Sequence, residues 1–301
     1  MTKPILVVIV GPTAVGKTSI SIELAKKFNS IILSADSRQF YKEINIGTAK
    51  PDQKQLSEVP HYFVDNLSIH DFYSVGAFEQ DVLAFLAKHF EQNRVAFLVG
   101  GSGLYIDAVL NGLDDLPQVP EELRWQIMQE IDSQGLSILL EELKAKDPVY
   151  FNAVDRSNTQ RVARAIEVMR YTGLPFSSFL KKSTRTLPFE IVKIGITAER
   201  ASLYENINKR VDEMMTQGQL EEARQMHEFK ELYALQTVGY KELFDYFEGK
   251  CSLDEAIELV KRNTRRFAKR QLTWFRRDTS TVWFQNNQTE AIAQLLSEKL
   301  K

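Results

Sequence analysis

The sequence predicts an α/β protein in which helices cover a parallel sheet and an all-helical segment interrupts the core. Short apolar runs alternate with helical patterns, which is typical of parallel sheets. The clearest runs end in polar or glycine-containing turns. The stretch from 121 to 180 contains helical patterns broken by proline and glycine, with no strand candidate. We therefore expect a P-loop core with a helical insertion domain.

The first predicted strand, Ile5–Val10, leads directly into a loop with the pattern G-x-x-x-x-G-K-T, and a helical pattern follows over 18–28. In that context backbone N–H groups and the helix N-terminus converge on a phosphate. The lysine can neutralise a second phosphate, and the threonine hydroxyl can hold Mg²⁺. The alternative, a glycine-rich turn that binds nothing, is disfavoured by the complete motif and its flanks. The loop consists of Gly11, Pro12, Thr13, Ala14, Val15, Gly16, Lys17 and Thr18.

Two further strands, over 30–34 and 95–99, also end in turns of chemical interest. The first runs into a polar turn at 35–37 and the second into a glycine turn at 100–103. Because the carboxyl ends of parallel strands share one edge, these turns should meet the phosphate-binding loop there. A fourth strand is predicted over 191–196 and a fifth over 282–284.

Asp36 follows the second strand, and two interpretations of it remain open. A carboxylate opposite the phosphate loop suits a general base. An aspartate beside a serine also commonly caps a turn.

The glycine turn after Val95–Val99 replaces the Mg²⁺-binding aspartate that many nucleotide hydrolases place after this strand. The purine-reading pattern N-K-x-D is also missing, because Asn208, Lys209 and Arg210 are followed by Val211. A GTPase switch is therefore disfavoured.

Composition sets broader limits on the class of protein. The 301 residues carry a net charge of −2 and 44% hydrophobic residues, values typical of a globular protein. A single cysteine, Cys251, excludes an internal disulfide, and no apolar run is long enough for a membrane span. We expect a cytoplasmic protein with no membrane partner. The predicted domains are an α/β core over 1–115 and 187–301 and a helical insertion over 116–186.

Two segments are strongly basic despite the negative net charge. One begins at 160–164 and continues with Arg170, Lys181, Lys182 and Arg185; the other, 261–277, holds eight Lys or Arg and no acid. Charge runs are often only solvated faces. Here, arginines at helical spacing with interleaved aromatic residues also fit an RNA surface.

Seven short strings follow one another along nearly the whole chain: GPTAVGKT (11–18), DSRQFY (36–41), GTAKP (47–51), GGSGLY (100–105), QRVAR (160–164), VGYKE (238–242) and AKRQ-x-TW (268–274). Taken together and in this order, they resemble the tRNA isopentenyltransferase (tRNA dimethylallyltransferase) family. The phosphate loop alone is unspecific, whereas the ordered set is highly specific.

The resemblance implies transfer of a dimethylallyl group from dimethylallyl diphosphate to N6 of adenosine 37, beside the tRNA anticodon. It implies that 11–18 bind the donor diphosphate, that Thr13 and Lys17 with Thr18 through Mg²⁺ stabilise the departing charge, and that Asp36 accepts the amine proton. It also implies that the insertion contacts the anticodon stem-loop. The RNA-contacting positions implied are Asp36, Ser37, Arg38, Gln39, Ser102, Arg124, Gln160, Arg161, Val162, Ala163, Arg164, Gln236, Thr237, Val238, Gly239, Tyr240 and Lys241.

One departure concerns Asn206, where many family members have an arginine thought to touch the diphosphate. Either Arg210 or a lysine substitutes, or donor affinity differs. We expect a monomer. The rival interpretations are an adenylate isopentenyltransferase acting on free AMP or ATP, a P-loop small-molecule kinase, and a non-catalytic RNA-binding module.

Overall fold

The computed structural model describes residues 3–180 and 185–301, and its core is a six-stranded parallel sheet. The strand order is β3-β2-β4-β1-β5-β6. The predicted basic residues Lys181 and Lys182 lie outside the described residues. The strands are β1 (Ile5–Val10), β2 (Ile32–Ser34), β3 (His61–Tyr62), β4 (Val95–Gly100), β5 (Glu190–Thr197) and β6 (Val282–Gln285).

The five predicted strands are confirmed to within two residues at their ends, and β3 was not predicted. Two residues are too short a run to show a period in the sequence. Strand β1 is buried along its whole length because β4 and β5 flank it and helices cover both faces. Its last residue, Val10, pairs with Gly100 of β4 and Gly195 of β5, so the turns after these strands share one edge.

Helices cover both faces of this sheet. Apolar side chains from β1 alternate between two buried clusters, one containing Val7 and Ile9 and the other Leu6 and Val8. The long helix α12 closes one cluster with Ala268 and the other with Phe275. The helices of this part are α1 (Lys17–Lys27), α2 (Gln53–Glu58), α3 (Val75–His89), α4 (Gly103–Asn111), α9 (Arg200–Thr216), α10 (Gln219–Gln225), α11 (Lys241–Phe247), α12 (Leu253–Phe275) and α13 (Thr289–Lys299).

The chain divides into two compact units, one formed by 1–110 with 186–301 and one by 111–185. The second unit has its own apolar core, in which Ile127, Leu143 and Ile166 are completely buried. Across its surface Arg170 binds the carboxylates of Glu130 and Glu142. Its helices are α5 (Glu121–Gln134), α6 (Leu136–Lys146), α7 (Pro148–Ala153) and α8 (Thr159–Thr172).

Within 3–180 and 185–301, no helix is both long enough and apolar enough to cross a membrane.

Candidate active site at the carboxyl edge of the sheet

The phosphate-binding loop has the expected strand–loop–helix geometry. Gly16 precedes α1 with φ of 100°, a left-handed conformation that side chains disfavour. The ammonium of Lys17 donates to the carbonyls of Gly11 (3.0 Å) and Pro12 (2.8 Å). The cation is therefore held at the loop where a phosphate oxygen would replace those weak partners.

Lys17 is unusually easy to deprotonate. Burial lowers its pKa to about 8; the negative charge of Asp36 opposes this shift, and the positive charge of Arg210 adds to it. Burial also lowers the pKa of Arg210, again opposed by Asp36. The three side chains thus form one charge cluster, with two cations and one carboxylate next to the loop.

This cluster predicts pH-dependent binding of diphosphate. A bound anion favours charged Lys17, so binding is at full strength below pH 8 and is lost as pH rises above it. By calorimetry with inorganic diphosphate, we expect wild-type affinity to fall about tenfold more between pH 7 and 9 than that of Lys17→Arg, which stays charged. Dividing the affinity of wild type by that of Lys17→Arg at each pH removes the effect of protonation of the diphosphate itself. Parallel pH profiles for the two proteins would contradict a role for the Lys17 charge.

The position of Asp36 is compatible with either interpretation. One carboxylate oxygen accepts the Arg38 backbone N–H at 3.0 Å, which caps the turn after β2. The same side chain borders the central cavity and acts electrostatically on Lys17 and Arg210. A carboxylate with one oxygen fixed by the backbone and a face toward the cavity is held in place to accept a proton.

A cavity of about 930 Å³ opens at this edge of the sheet. Thr13 of the phosphate loop, Asp36 and Arg210 border it, and so does the basic face of α12. Asn206, by contrast, is solvent-exposed and does not line it, so Arg210 is the α9 cation at the cavity. The α12 residues lining the cavity include Arg262, Arg266, Phe267, Arg270, Gln271 and Trp274.

The basic stretch of α12 separates into two groups. Arg262, Arg266 and Arg270 are exposed and border the cavity. Lys261 instead binds Asp212 (2.8 Å) and Glu258 (3.1 Å), and Arg265 donates to the Asn208 side chain. The first group therefore presents exposed guanidinium groups to a ligand in the cavity, with that of Arg270 also 5.8 Å from the ring centroid of Phe267.

The predicted RNA-contacting residues of the β2 and β4 turns have different surroundings. The Ser102 hydroxyl accepts the Ser37 N–H at 3.0 Å and ties the two turns together beside the cavity. The guanidinium of Arg38 lies 4.5 Å from the ring centroid of Tyr233, also at the cavity. Gln39 does not line it, because its amide accepts from Ser34 and donates to the carbonyls of Thr48 and Ala49.

The segment 236–241 lines the cavity with every residue except Tyr240. The Tyr240 side chain is completely buried and donates its hydroxyl to Glu222 at 2.6 Å. Glu222 also accepts N–H groups from 45–47, at 2.8–3.0 Å. Contact of the Tyr240 side chain with RNA is therefore inconsistent with this structure; through Glu222 the tyrosine supports the backbone at 45–47.

In the helical unit, the predicted RNA-contacting residues do not all face solvent. Gln160 and Arg161 are exposed at the start of α8, whereas Val162 and Ala163 belong to the apolar core of this unit. The side chains of Val162 and Ala163 are therefore corrected to packing residues, since helical spacing turns them away from the exposed pair. Arg164 and Arg124 both bind the buried carboxylate of Glu167.

Sequence reasoning missed two residues that shape the site. Glu222 lies in a run of charged residues on α10 and carries no signal that distinguishes it from a surface glutamate. Gln271 belongs to the AKRQ-x-TW string, but its hydrogen bonds to Thr13 and Gly101 were not predicted. A contact between residues 258 positions apart is visible only after folding.

The family model and two similar curated proteins agree on one family. The family model described as IPP transferase matches residues 39–278. The tRNA dimethylallyltransferase of Christiangramia forsetii is 50% identical over 280 residues, which cover 93% of each chain. The tRNA dimethylallyltransferase 2 of Parabacteroides distasonis is 46% identical over 295 residues, covering 98% of this chain and 99% of that one.

Solved structures agree with this family in sequence and fold. The full-length tRNA isopentenylpyrophosphate transferase of Bacillus halodurans has a TM-score of 0.74 and 37% identity, with 99% of this chain and 97% of that one covered. The corresponding transferase of Staphylococcus epidermidis has a TM-score of 0.71 and 34% identity, with 99% of each chain covered.

Proposed function

Since the chain belongs to the IPP transferase family, we propose that it transfers the dimethylallyl group of dimethylallyl diphosphate to N6 of adenosine 37 in tRNA. The observation that carries this proposal is the shared cavity, which brings together a phosphate-loop residue, a carboxylate and a row of exposed arginines. A diphosphate, an amine that loses a proton and a polyanion are the ligands that these three features suit.

The phosphate loop binds the donor in this proposal. Its N–H groups and Lys17 hold the diphosphate, and Arg210 adds the cation that Asn206 does not supply. As the bond between the allylic carbon and the diphosphate oxygen breaks, negative charge grows on the leaving group. Fixed cations at that position stabilise this charge more than they stabilise the intact donor.

Asp36 acts on the acceptor. The adenine amine supplies its lone pair to the allylic carbon and loses a proton, which Asp36 accepts. An exocyclic amine is a poor nucleophile, so its placement and the base both contribute to rate. The adenine must leave the base stack to reach this depth, a rearrangement that the cavity of about 930 Å³ has room to accept.

Mg²⁺ fits the loop through Thr18. Within the described part of the chain no protein group binds the Thr18 hydroxyl, which leaves it available as an oxygen ligand beside the diphosphate. When bound, the ion supplies further neutralisation of the leaving group.

The RNA is held by the cavity rim in this proposal. The exposed arginines of α12 and the 236–239 segment line the cavity. Gln160 and Arg161 are exposed on the helical unit and are proposed as RNA contacts of that unit by itself. We propose a monomer that acts on tRNA in the cytoplasm.

The donor distinguishes this proposal from a kinase. We expect dimethylallyl diphosphate to displace a fluorescent diphosphate probe at lower concentration than ATP or GTP, because the sequence lacks the N-K-x-D purine-reading motif. Lys17→Ala should weaken donor binding and turnover together. Tight ATP binding that dimethylallyl diphosphate fails to displace would instead support the small-molecule kinase.

The acceptor distinguishes the other rivals. An adenylate isopentenyltransferase would transfer the group to AMP as fast as to an anticodon stem-loop, and a non-catalytic module would bind the stem-loop without any transfer. We expect measurable transfer to the stem-loop alone, since free AMP has too few phosphates to engage three arginines at once.

A further inference from the structure

A buried glutamine joins the phosphate loop to the glycine turn after β4. Gln271 is 6% exposed and lies near the C-terminal end of α12. Its side-chain oxygen accepts the Thr13 N–H at 2.9 Å, and its side-chain nitrogen donates to the Gly101 carbonyl at 3.1 Å. Both ends of the amide are therefore engaged, one on each of the two loops that border the cavity.

The glycine turn is shaped to receive this amide. A Cβ built on Gly101 would lie 2.2 Å from the Gln271 nitrogen, closer than real Cβ contacts occur. Any side chain at position 101 would push the amide away from Thr13. Gln271 therefore keeps this position because Gly101 has no side chain.

The hydrogen bond to Thr13 also takes one backbone N–H of the phosphate loop out of the set that can bind a ligand. The Thr13 N–H is committed to Gln271 and so is not a donor for the diphosphate. Thr13 borders the cavity. As the family resemblance implies, its hydroxyl stabilises the charge on the departing diphosphate in the proposed reaction. Fixing the backbone of Thr13 fixes where that hydroxyl can point.

On the basis of the proposed function, we infer that Gln271 is a positioning residue for the transfer step and acts through Thr13. It touches neither reacting atom in this role. Its amide holds the Thr13 backbone at a set distance from the Gly101 turn, so that α12 controls the placement of the loop's threonine. Small displacements of a reacting group are costly in rate, about 100-fold for 1 Å.

A double-mutant cycle tests this inference. Gln271→Met keeps the length of the side chain and removes both hydrogen bonds. We expect single-turnover transfer at saturating donor and stem-loop to fall roughly ten- to hundredfold in Gln271→Met. In the Thr13→Ala background, where no hydroxyl remains to be positioned, the same change should have less than a roughly twofold effect. Equal losses in the two backgrounds would overturn the inference.

Two further measurements separate positioning from loss of structure. Inorganic diphosphate should bind Gln271→Met nearly as well as wild type, because the N–H that loses its partner is not a diphosphate donor; a large loss would count against the inference. Gly101→Ala should reproduce the rate loss by displacing the amide. Normal transfer by a folded Gly101→Ala protein would contradict it. A wild-type protein that binds diphosphate and transfers nothing would refute the proposed function itself.

Discussion

Asp36→Asn should lower kcat by about 10²–10⁴-fold while leaving the protein folded and the donor bound. The asparagine oxygen can still accept the Arg38 N–H that Asp36 accepts at 3.0 Å, so the cap on the turn is kept. The substitution removes the negatively charged carboxylate, which is the group that accepts the amine proton. Single-turnover rates at saturating stem-loop, with thermal melting of the same samples, measure the two effects separately.

Asp36→Ala is the matched control for the capping role, since it removes both the base and the cap. It should lose the same activity as Asp36→Asn and in addition about 1 kcal/mol of stability, by analogy with helix caps. If the aspartate only capped the turn, Asp36→Asn would react at a normal rate. That result would contradict the assignment and move the search for the base elsewhere.

The asparagine variant has a second expected effect, on Lys17. Burial lowers the Lys17 pKa to about 8, and the negative charge of Asp36 opposes that shift. Removing the charge of Asp36 should therefore lower the Lys17 pKa below about 8. Diphosphate binding by Asp36→Asn should therefore be lost at lower pH than binding by wild type. Donor affinities of the two proteins are best compared near pH 6, where the lysine is charged in both.

Replacing Arg262, Arg266 and Arg270 together with glutamine should reduce stem-loop affinity roughly 100-fold at 0.1 M salt. These three exposed arginines line the cavity. Each lost phosphate contact removes about 0.7–0.9 from the slope of log affinity against log salt, so the slope should fall by about 2–3. Filter binding across a salt series measures it, and donor KM should barely change.

The same helix offers a matched control. Lys261→Gln with Arg265→Gln removes two charges that already have protein partners, Asp212 and Glu258 for the first and Asn208 for the second. This double variant should leave the salt slope almost unchanged. Equal effects of the two sets would mean that α12 acts only through its overall charge.

The sequence was most informative where local pattern decides structure. The phosphate loop and its flanking strand and helix were predicted because a glycine pattern between an apolar run and a helical period is a local feature. The buried strands β4 and β5 were recognised for the same reason. Strand β3 and the order of strands depend on pairings between distant residues, which periodicity does not report.

The site was predicted less completely because a motif does not say which way each side chain points. Asp36 was found at the cavity as expected, yet the Tyr240 side chain, from another of the matching strings, is buried beside Gly47. Val162 is also buried, in the core of the helical unit. Gln271 lies in a strongly charged stretch and acts on Thr13, which is 258 residues away.

In the proposed function, this cavity moves an allylic group onto an adenine amine within RNA. The most direct measurement combines the protein, Mg²⁺, labelled dimethylallyl diphosphate and an anticodon stem-loop with adenosines at 36 and 37, followed by digestion to nucleosides and mass spectrometry. We expect N6-dimethylallyladenosine at position 37, and no product when AMP or ATP replaces the stem-loop. Transfer to free AMP at a similar rate, or a phosphorylated product, would contradict this reaction.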